Sequence, residues 1–291
     1  MKVTGVSFIR NAIKYDYPIV EAIRSILPIC DDFVVAVGNS EDDTQELIAQ
    51  IEPQKIKILP TTWDDTLREG GAVLAQETNK ALRAVPADTD WVFYVQGDEV
   101  IHEKYLPTIR QAMQTYLHDK NIDGLLFKYL HFYGSYDYIG TSYQWYRREI
   151  RIVRNRSDIY SYKDAQGFRK GNNQKLRVKL IDAFVYHYGW VKEPKAMQQK
   201  QETFHKYWHD DSWLEKNIAK RDEFDYSNVD ILEKFTGTHP QVMQARIANK
   251  NWKFDYDLSC NRLSLKDKFK KFVEKVTGGY IIGEYRNYVL V

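Results

Sequence analysis

Hydrophobic and polar positions change period several times along this chain. Val3 to Ile9, with Val3, Val6, Phe8 and Ile9 among small residues, predicts a short strand ending at Arg10-Asn11. Pro18 opens a segment in which Ile19, Ile23, Ile26 and Leu27 recur at helical spacing until Pro28 ends it. Phe33 to Val37 predicts a second strand, closed by Gly38-Asn39, and Ser40 and Asp43 have capping-box spacing for a helix over 42–51. Ile56 to Leu59 predicts a third strand, and residues 66–84 read as a helix despite Gly70-Gly71. Trp91 to Val95 is then an unbroken run of apolar and aromatic residues, as in a strand covered on both faces. It breaks at Gln96-Gly97, and Asp98 and Glu99 follow at once. This alternation predicts an α/β fold with a mostly parallel sheet and right-handed crossovers. Acids at the C-terminal mouth of a central strand sit where such sheets bind ligands, and a glycine there lets a ligand reach the backbone.

The second half is less regular. Tyr105, Leu106, Ile109, Met113 and Leu117 mark a helix, and Leu125 to Phe132 and Ile150 to Arg154 read as strands. Between those strands runs a loop with Tyr136, Tyr138, Tyr143, Trp145 and Tyr146, which is a lid or sugar platform or else a cover for the sheet edge. A strand within 176–190 ends in Tyr-His-Tyr-Gly-Trp, and Pro194 opens a helix running to about Trp208. Ser264 to Val276 reads as a capped helix ending at Gly278. Leu265, Phe269, Phe272, Val273 and Val276 lie on one face, and Lys266, Lys268, Lys270, Lys271 and Lys275 on the rest. That helix either lies on an anionic membrane or packs on its own domain.

Composition narrows the classes. The 291 residues carry 42 basic and 40 acidic side chains, a net charge of +2, so no nucleic-acid partner is expected. Cys30 and Cys260 give neither a disulfide framework nor zinc spacing. No apolar stretch approaches the ~20 residues that span a bilayer. The chain is therefore expected to be cytoplasmic, with the inner membrane face as its peripheral option.

Several motifs occur in an order that resembles family-2-type glycosyltransferases of the GT-A fold. Ser7-Phe8-Ile9-Arg10-Asn11 resembles the family's first strand and loop. Val37 to Thr44 resembles its D-D-G-S-x-D-x-T segment, and Gly70-Gly71 through Asn79 its G-x-x-x-x-x-x-N helix. Gln96-Gly97-Asp98-Glu99 stands where the family has D-A-D-E. The resemblance covers about residues 1–210 and implies a Rossmann-like GT-A domain there. Its nucleotide-binding half would be 1–103 and its acceptor-binding half 104–210, with 211–291 as a helical C-terminal extension. The implied activity is a metal-dependent, inverting transfer of a sugar from a UDP- or GDP-sugar to a hydroxyl of a glycan or lipid-linked glycan. Two departures stand out: Val37-Gly38 replaces the acidic pair that contacts the base, and Gln96 replaces the first aspartate of D-x-D.

The resemblance implies nucleotide-sugar contacts from Arg10, Asn11, Asn39, Ser40, Gln96, Gly97 and Asp98. It also implies a Mn²⁺ or Mg²⁺ ion on Asp98 and His187, since such ions favour carboxylate and phosphate oxygens, with an imidazole suiting Mn²⁺. An inverting transfer needs a base on the acceptor hydroxyl. Asp164 is the nearest match, with Glu149 as fallback. Arg147, Arg148, Arg151 and Arg154 either reach the diphosphate or form a solvated face, and His102, His118, His205 and His209 are expected on the surface. Two other readings remain: a non-catalytic carbohydrate- or nucleotide-binding homologue, and a nucleotidyltransferase, although the Arg10 to Lys14 loop lacks the glycine usual in the latter.

Overall fold

The computed structural model describes residues 1–217, 221–259, 262–278, 283 and 286–291. Cys260 lies outside the described residues, and Cys30 is a buried free thiol.

Strands β1 (Val3–Ile9), β2 (Asp32–Val37), β3 (Ile56–Pro60) and β4 (Trp91–Tyr94) form where the apolar runs predict them. They pair in parallel in the order β3-β2-β1-β4. After β5 (Glu99–Ile101) the chain adds β6 (Gly124–Tyr133), β7 (Tyr138–Gly140) and β8 (Arg148–Arg154). β8 inserts antiparallel between β4 and β6. A separate three-stranded sheet holds β9 (Ile159–Tyr162), β10 (Gly167–Lys170) and β11 (Gln174–Lys175). The long β12 (Arg177–Trp190) runs parallel to β6 and antiparallel to β5. The expected α/β architecture is borne out: a Rossmann-like parallel half continued by a mixed half.

Helices cover both faces. α1 (Ile19–Ile26) buries Ile19, Ile23 and Ile26 on one side of the parallel strands. α2 (Thr44–Ala49) flanks β3, and α3 (Ala72–Arg83) packs Val73, Leu74 and Ala81 on the other side. α4 (Leu106–Thr115) joins the first face through Ile109 and Met113. α3 starts later than its pattern suggests, because Gly70 and Gly71 hold φ of +58° and +70°, a conformation other residues rarely adopt. The Ser40–Asp43 capping box does not form. Ser40 Oγ instead accepts from the Asn11 N–H, and Asp42 Oδ1 caps the Thr44 N–H at 3.1 Å.

Two further helices, α5 (Pro194–Phe204) and α6 (Asp211–Asn217), follow β12. Past residue 210 the chain also returns to the main sheet, through β13 (Leu232–Lys234) on β7 and, after α7 (Gln244–Ala248) and α8 (Leu265–Val276), through β14 (Val289–Leu290) on β12. Most rings of the 133–146 segment pack into this C-terminal part. Tyr133 meets Tyr226 and Phe254, Tyr138 meets Phe254 and Tyr256, and Tyr136 meets Trp252. That segment is chiefly a cover for the sheet edge.

Candidate active site

A cavity of about 300 Å³ opens at the C-terminal ends of β1 and β4, beneath α5 and the turn that follows it. It is the position at which a parallel sheet leaves its strand ends free for a ligand. Arg10, Gln96, Gly97, Asp98, Asp164 and His187 all line it, although they are spread over nearly 180 residues of chain. Asn11, Asn39 and Ser40 are not among the lining residues. They tie the loops behind it together: Asn11 Oδ1 accepts from the Glu41 N–H at 2.7 Å, and Asn39 Oδ1 from the Trp63 N–H at 3.1 Å.

Asp98 and His187 meet because β5 pairs with β12 beside them, and the Tyr188 N–H donates to the Asp98 carbonyl at 2.8 Å. Asp98 Oδ2 stands 3.7 Å from His187 Nε2 and 3.4 Å from Lys200 Nζ. Burial works against the Asp98 charge, but His187, Lys200 and Lys192 outweigh it and hold the carboxyl well below the usual carboxylate range. Lys200 is itself buried, which lowers its pKa, and it donates to the Gly189 carbonyl at 2.9 Å. The deeper Lys192 is pushed down to about 7 by burial and by Lys200.

The His187 ring is oriented from behind. Its Nδ1 lies 3.0 Å from His131 Nδ1, and His131 Nε2 lies 2.7 Å from the Tyr146 carbonyl. A carbonyl only accepts, so His131 carries its proton on Nε2 and offers a lone pair at Nδ1. Burial, reinforced by His187, keeps His131 well below the ordinary histidine pKa and thus neutral. His187 therefore donates from Nδ1 to His131 and turns Nε2 toward the Asp98 carboxylate. An imidazole nitrogen and a carboxylate oxygen facing across 3.7 Å are the donor types a divalent cation takes. Gly189 keeps that space clear, since a Cβ there would come within 2.6 Å of His187 Nε2 and 2.7 Å of Asp98 Oδ2. Among the described residues no group of three or more His, Cys, Asp or Glu side chains could hold a metal. The donor set thus fits an ion that completes its shell with water and substrate phosphate, as Mg²⁺ commonly does.

Asp164 enters the same cavity from a tight turn in which Lys163 and Ala165 adopt φ of +54° and +60°, sparsely populated for non-glycine residues. Burial raises its pKa. Gly71 makes room for it, because a Cβ at that position would lie 2.8 Å from the Asp164 Cβ.

The fallback base, Glu149, is buried and is not among the lining residues. Its Oε2 lacks a hydrogen-bond partner, and burial pushes the carboxyl up to about 8. A carboxyl with a raised folded-state pKa contributes stability below its unfolded value, near 4.5, and loses it as the pH climbs to about 8. Glu149→Gln removes the titration but leaves an amide to satisfy. Any cost of the amide is the same at both pH values, so relative to the native chain the variant should gain about 4 kcal/mol more at pH 8 than near pH 4.5, as read by urea denaturation. An equal shift at both would show that Glu149 is not held neutral.

None of the four arginines lines the cavity. β8 is an interior strand with no solvated face, so Arg151 is wholly buried. Its Nη2 and Nε contact Glu99 at 2.6 and 2.7 Å. Glu99, expected at the mouth with Asp98, is thereby turned into the core, where it also accepts from Tyr129 Oη at 2.8 Å and the Gln96 N–H at 3.1 Å. Arg154 covers the Trp91 ring at 3.9 Å, and Arg147 pairs with Glu274 at 2.9 Å. His102 is likewise buried, 2.9 Å from Thr238 Oγ1, because it sits at the end of the covered strand β5. His205 lines the cavity, whereas His118 is exposed as expected.

Sequence reasoning missed Lys200, Trp63 and Tyr207. Lys200 carried a signal, since Met197, Lys200, Gln201 and Phe204 recur at helical spacing and the stripe turns inward. Trp63 and Tyr207 wall the cavity with ring centroids 5.4 Å apart. Trp63 also accounts for Gly38, where a Cβ would lie 2.3 Å from the indole nitrogen. Trp63 thus occupies the space that a side chain at position 38 would need.

No family model matches the chain, and no curated protein matches it. Solved structures similar to it include S. aureus TarS residues 1–349 in complex with UDP-GlcNAc. That match has a TM-score of 0.41 and 16% identity, covering 76% of this chain and 68% of the other. Glucosyl-3-phosphoglycerate synthase from Mycobacterium tuberculosis, in complex with Mn²⁺, UDP and phosphoglyceric acid, matches with a TM-score of 0.31 and 18% identity over 45% of this chain and 43% of that one. 4-Diphosphocytidyl-2C-methyl-D-erythritol synthase from Anaerococcus prevotii matches with a TM-score of 0.38 and 9% identity, covering 66% and 91%. At these values the reading of the site rests on the chain's own residues.

Proposed function

We propose that the protein is a glycosyltransferase that moves a hexose from a UDP- or GDP-sugar to a hydroxyl of a glycan or lipid-linked glycan, with inversion. One observation carries the reading. A single cavity at the strand ends holds an ionised Asp98 beside His187 and Lys200, and also a separate carboxylate, Asp164, whose pKa burial raises. The first group suits a leaving diphosphate and the second an acceptor hydroxyl.

Asp98 and His187 would hold Mn²⁺ or Mg²⁺, and a bound ion supplies a Lewis acid that offsets charge on the departing phosphates. The chain's own residues do the rest. Lys200 and Arg10 place two cationic groups in the same cavity for the diphosphate oxygens. Trp63 and Tyr207 offer apolar rings to the base and sugar. Gln96 hydrogen-bonds the Ala165 carbonyl at 3.2 Å and retains amide capacity for ribose. Asp164 takes the acceptor proton as the acceptor oxygen bonds to the anomeric carbon, while the bond to the diphosphate breaks and its electron pair leaves with the nucleotide.

Thermal-shift measurements with UDP- and GDP-sugars, each with and without Mn²⁺, test the reading. One nucleotide series should raise the unfolding temperature, more so with the ion, and hydrolysis or transfer should follow with the matching sugar. No stabilisation by any nucleotide would overturn it. The orientation of His187 gives a separate expectation. His131→Phe should weaken Mn²⁺ binding in the presence of the nucleotide by ~10- to 100-fold, as lost outer-shell partners typically do. Electron paramagnetic resonance of free Mn²⁺ reads this directly, and unchanged affinity would remove His131 from the site.

A further inference from the structure

Helix α8 meets the domain by the face opposite the one its sequence leads one to bury. Leu265, Phe269, Phe272 and Val276 follow i, i+4, i+7 and i+11 and form one stripe, yet they are 86%, 60%, 63% and 68% exposed. Attachment comes from polar groups turned the other way. Glu274 accepts from Tyr143 Oη at 2.6 Å and pairs with Arg147 at 2.9 Å, and Lys271 reaches Glu233 at 3.3 Å. Lys270 lies over the Tyr143 ring at 5.0 Å. The helix is capped at its start, where the Ser264 side chain accepts from the Asp267 N–H at 3.1 Å. It is thus a formed helix, held by salt bridges, that presents its apolar stripe to solvent.

The charges beside the stripe indicate what covers it. Lys266, Lys268 and Lys275 are exposed and flank it on both sides, while the acids Asp267 and Glu274 are only partly exposed and Glu274 faces the domain. Buried leucine and phenylalanine below, with lysines reaching outward to phosphate, is the arrangement of a helix lying in the interfacial layer of a bilayer. No helix among the described residues is long and apolar enough to cross a membrane, so any such contact is peripheral.

We propose that α8 docks the protein on an anionic lipid surface, with Leu265, Phe269, Phe272 and Val276 in the acyl boundary and Lys266, Lys268 and Lys275 on the head groups. The proposal stands independently of the reading of the cavity. It also has a spatial consequence, because Arg147 and Tyr143, which hold α8, flank Tyr146, and Tyr146 lines the active-site cavity. Docking by α8 would bring the open side of that segment toward a lipid-borne acceptor.

Co-sedimentation of the full chain with phosphatidylcholine vesicles, with and without phosphatidylglycerol, tests it. The protein should pellet with the anionic vesicles and be released by salt, each lysine replaced by glutamate weakening partition about fivefold or more. Phe269→Ser and Phe272→Ser should each reduce it about tenfold while leaving the unfolding midpoint unchanged, since both rings are already outside the core. A native chain that stays in the supernatant with both vesicles would overturn the proposal. So would undiminished pelleting of the double phenylalanine variant. A solution dimer, seen by light scattering and dissolved by the same two substitutions, would assign the stripe to a second copy and equally overturn it.

Discussion

Asp164→Asn should cut sugar transfer by ~10²- to 10⁴-fold and leave nucleotide-sugar affinity near that of the native chain. The asparagine is almost isosteric, so the turn set by Lys163 and Ala165 and the packing against Gly71 should survive. What is lost is the ability to take a proton. Burial raises the Asp164 pKa, which strengthens it as a base. The acid limb of kcat should accordingly lie above the ordinary aspartate value of 3.8 in the native chain. Two outcomes would reassign the residue. Near-normal transfer by Asp164→Asn would give the proton to another acceptor, and weaker donor binding at unchanged kcat would make Asp164 a shaping residue. Glu149 is poorly placed to inherit the role, being buried, outside the cavity lining and pushed toward its neutral form.

Arg151→Met should destabilise the fold by about 3–5 kcal/mol, the usual consequence of stranding one member of a buried ion pair. Both partners are fully buried, and the guanidinium also donates to the Ile150 and Gln166 carbonyls at 2.9 Å. Removing it leaves Glu99 with only Tyr129 and the Gln96 N–H for its charge. Because Glu99 follows Asp98 directly, the loss should also loosen the carboxylate at the cavity. Urea titration should show the drop in midpoint, and replacing both residues, Arg151→Met with Glu99→Gln, should recover part of it, since no uncompensated charge then stays behind. A single variant within about 1 kcal/mol of the native chain would mean that water or relaxation reaches Glu99.

How much of this was legible follows from the range of each force. The parallel half was written locally. Runs such as Val3 to Ile9 and Trp91 to Val95, short and rich in β-branched and aromatic residues, favour covered strands, and their alternation with helices leaves few topologies. The glycine and acid after the central strand marked the sheet end at which the cavity opens. Asp98, Asp164 and His187, far apart in the chain, line one cavity.

Side-chain destinations within the mixed half were not written locally. Glu99 and Arg151 are charged residues that a sequence reading sends to solvent, and only the insertion of β8 between β4 and β6 makes them each other's sole means of remaining charged in the core. Lys200 reaches Asp98 because α5 folds back over the strand ends, a contact 102 residues long in sequence. The orientation of His187 depends on His131 and a backbone carbonyl, neither of which has a motif. Along α8 the periodicity was plain from the start, but whether the stripe faced protein or solvent depended on which ion pairs the sheet edge offered. The sequence by itself determined the strands of the parallel half and the end of the sheet at which the cavity opens. Tertiary structure decided which charges are paired, which proton each histidine carries and which faces stay uncovered, because those depend on neighbours that only the closed sheet brings within a few ångströms.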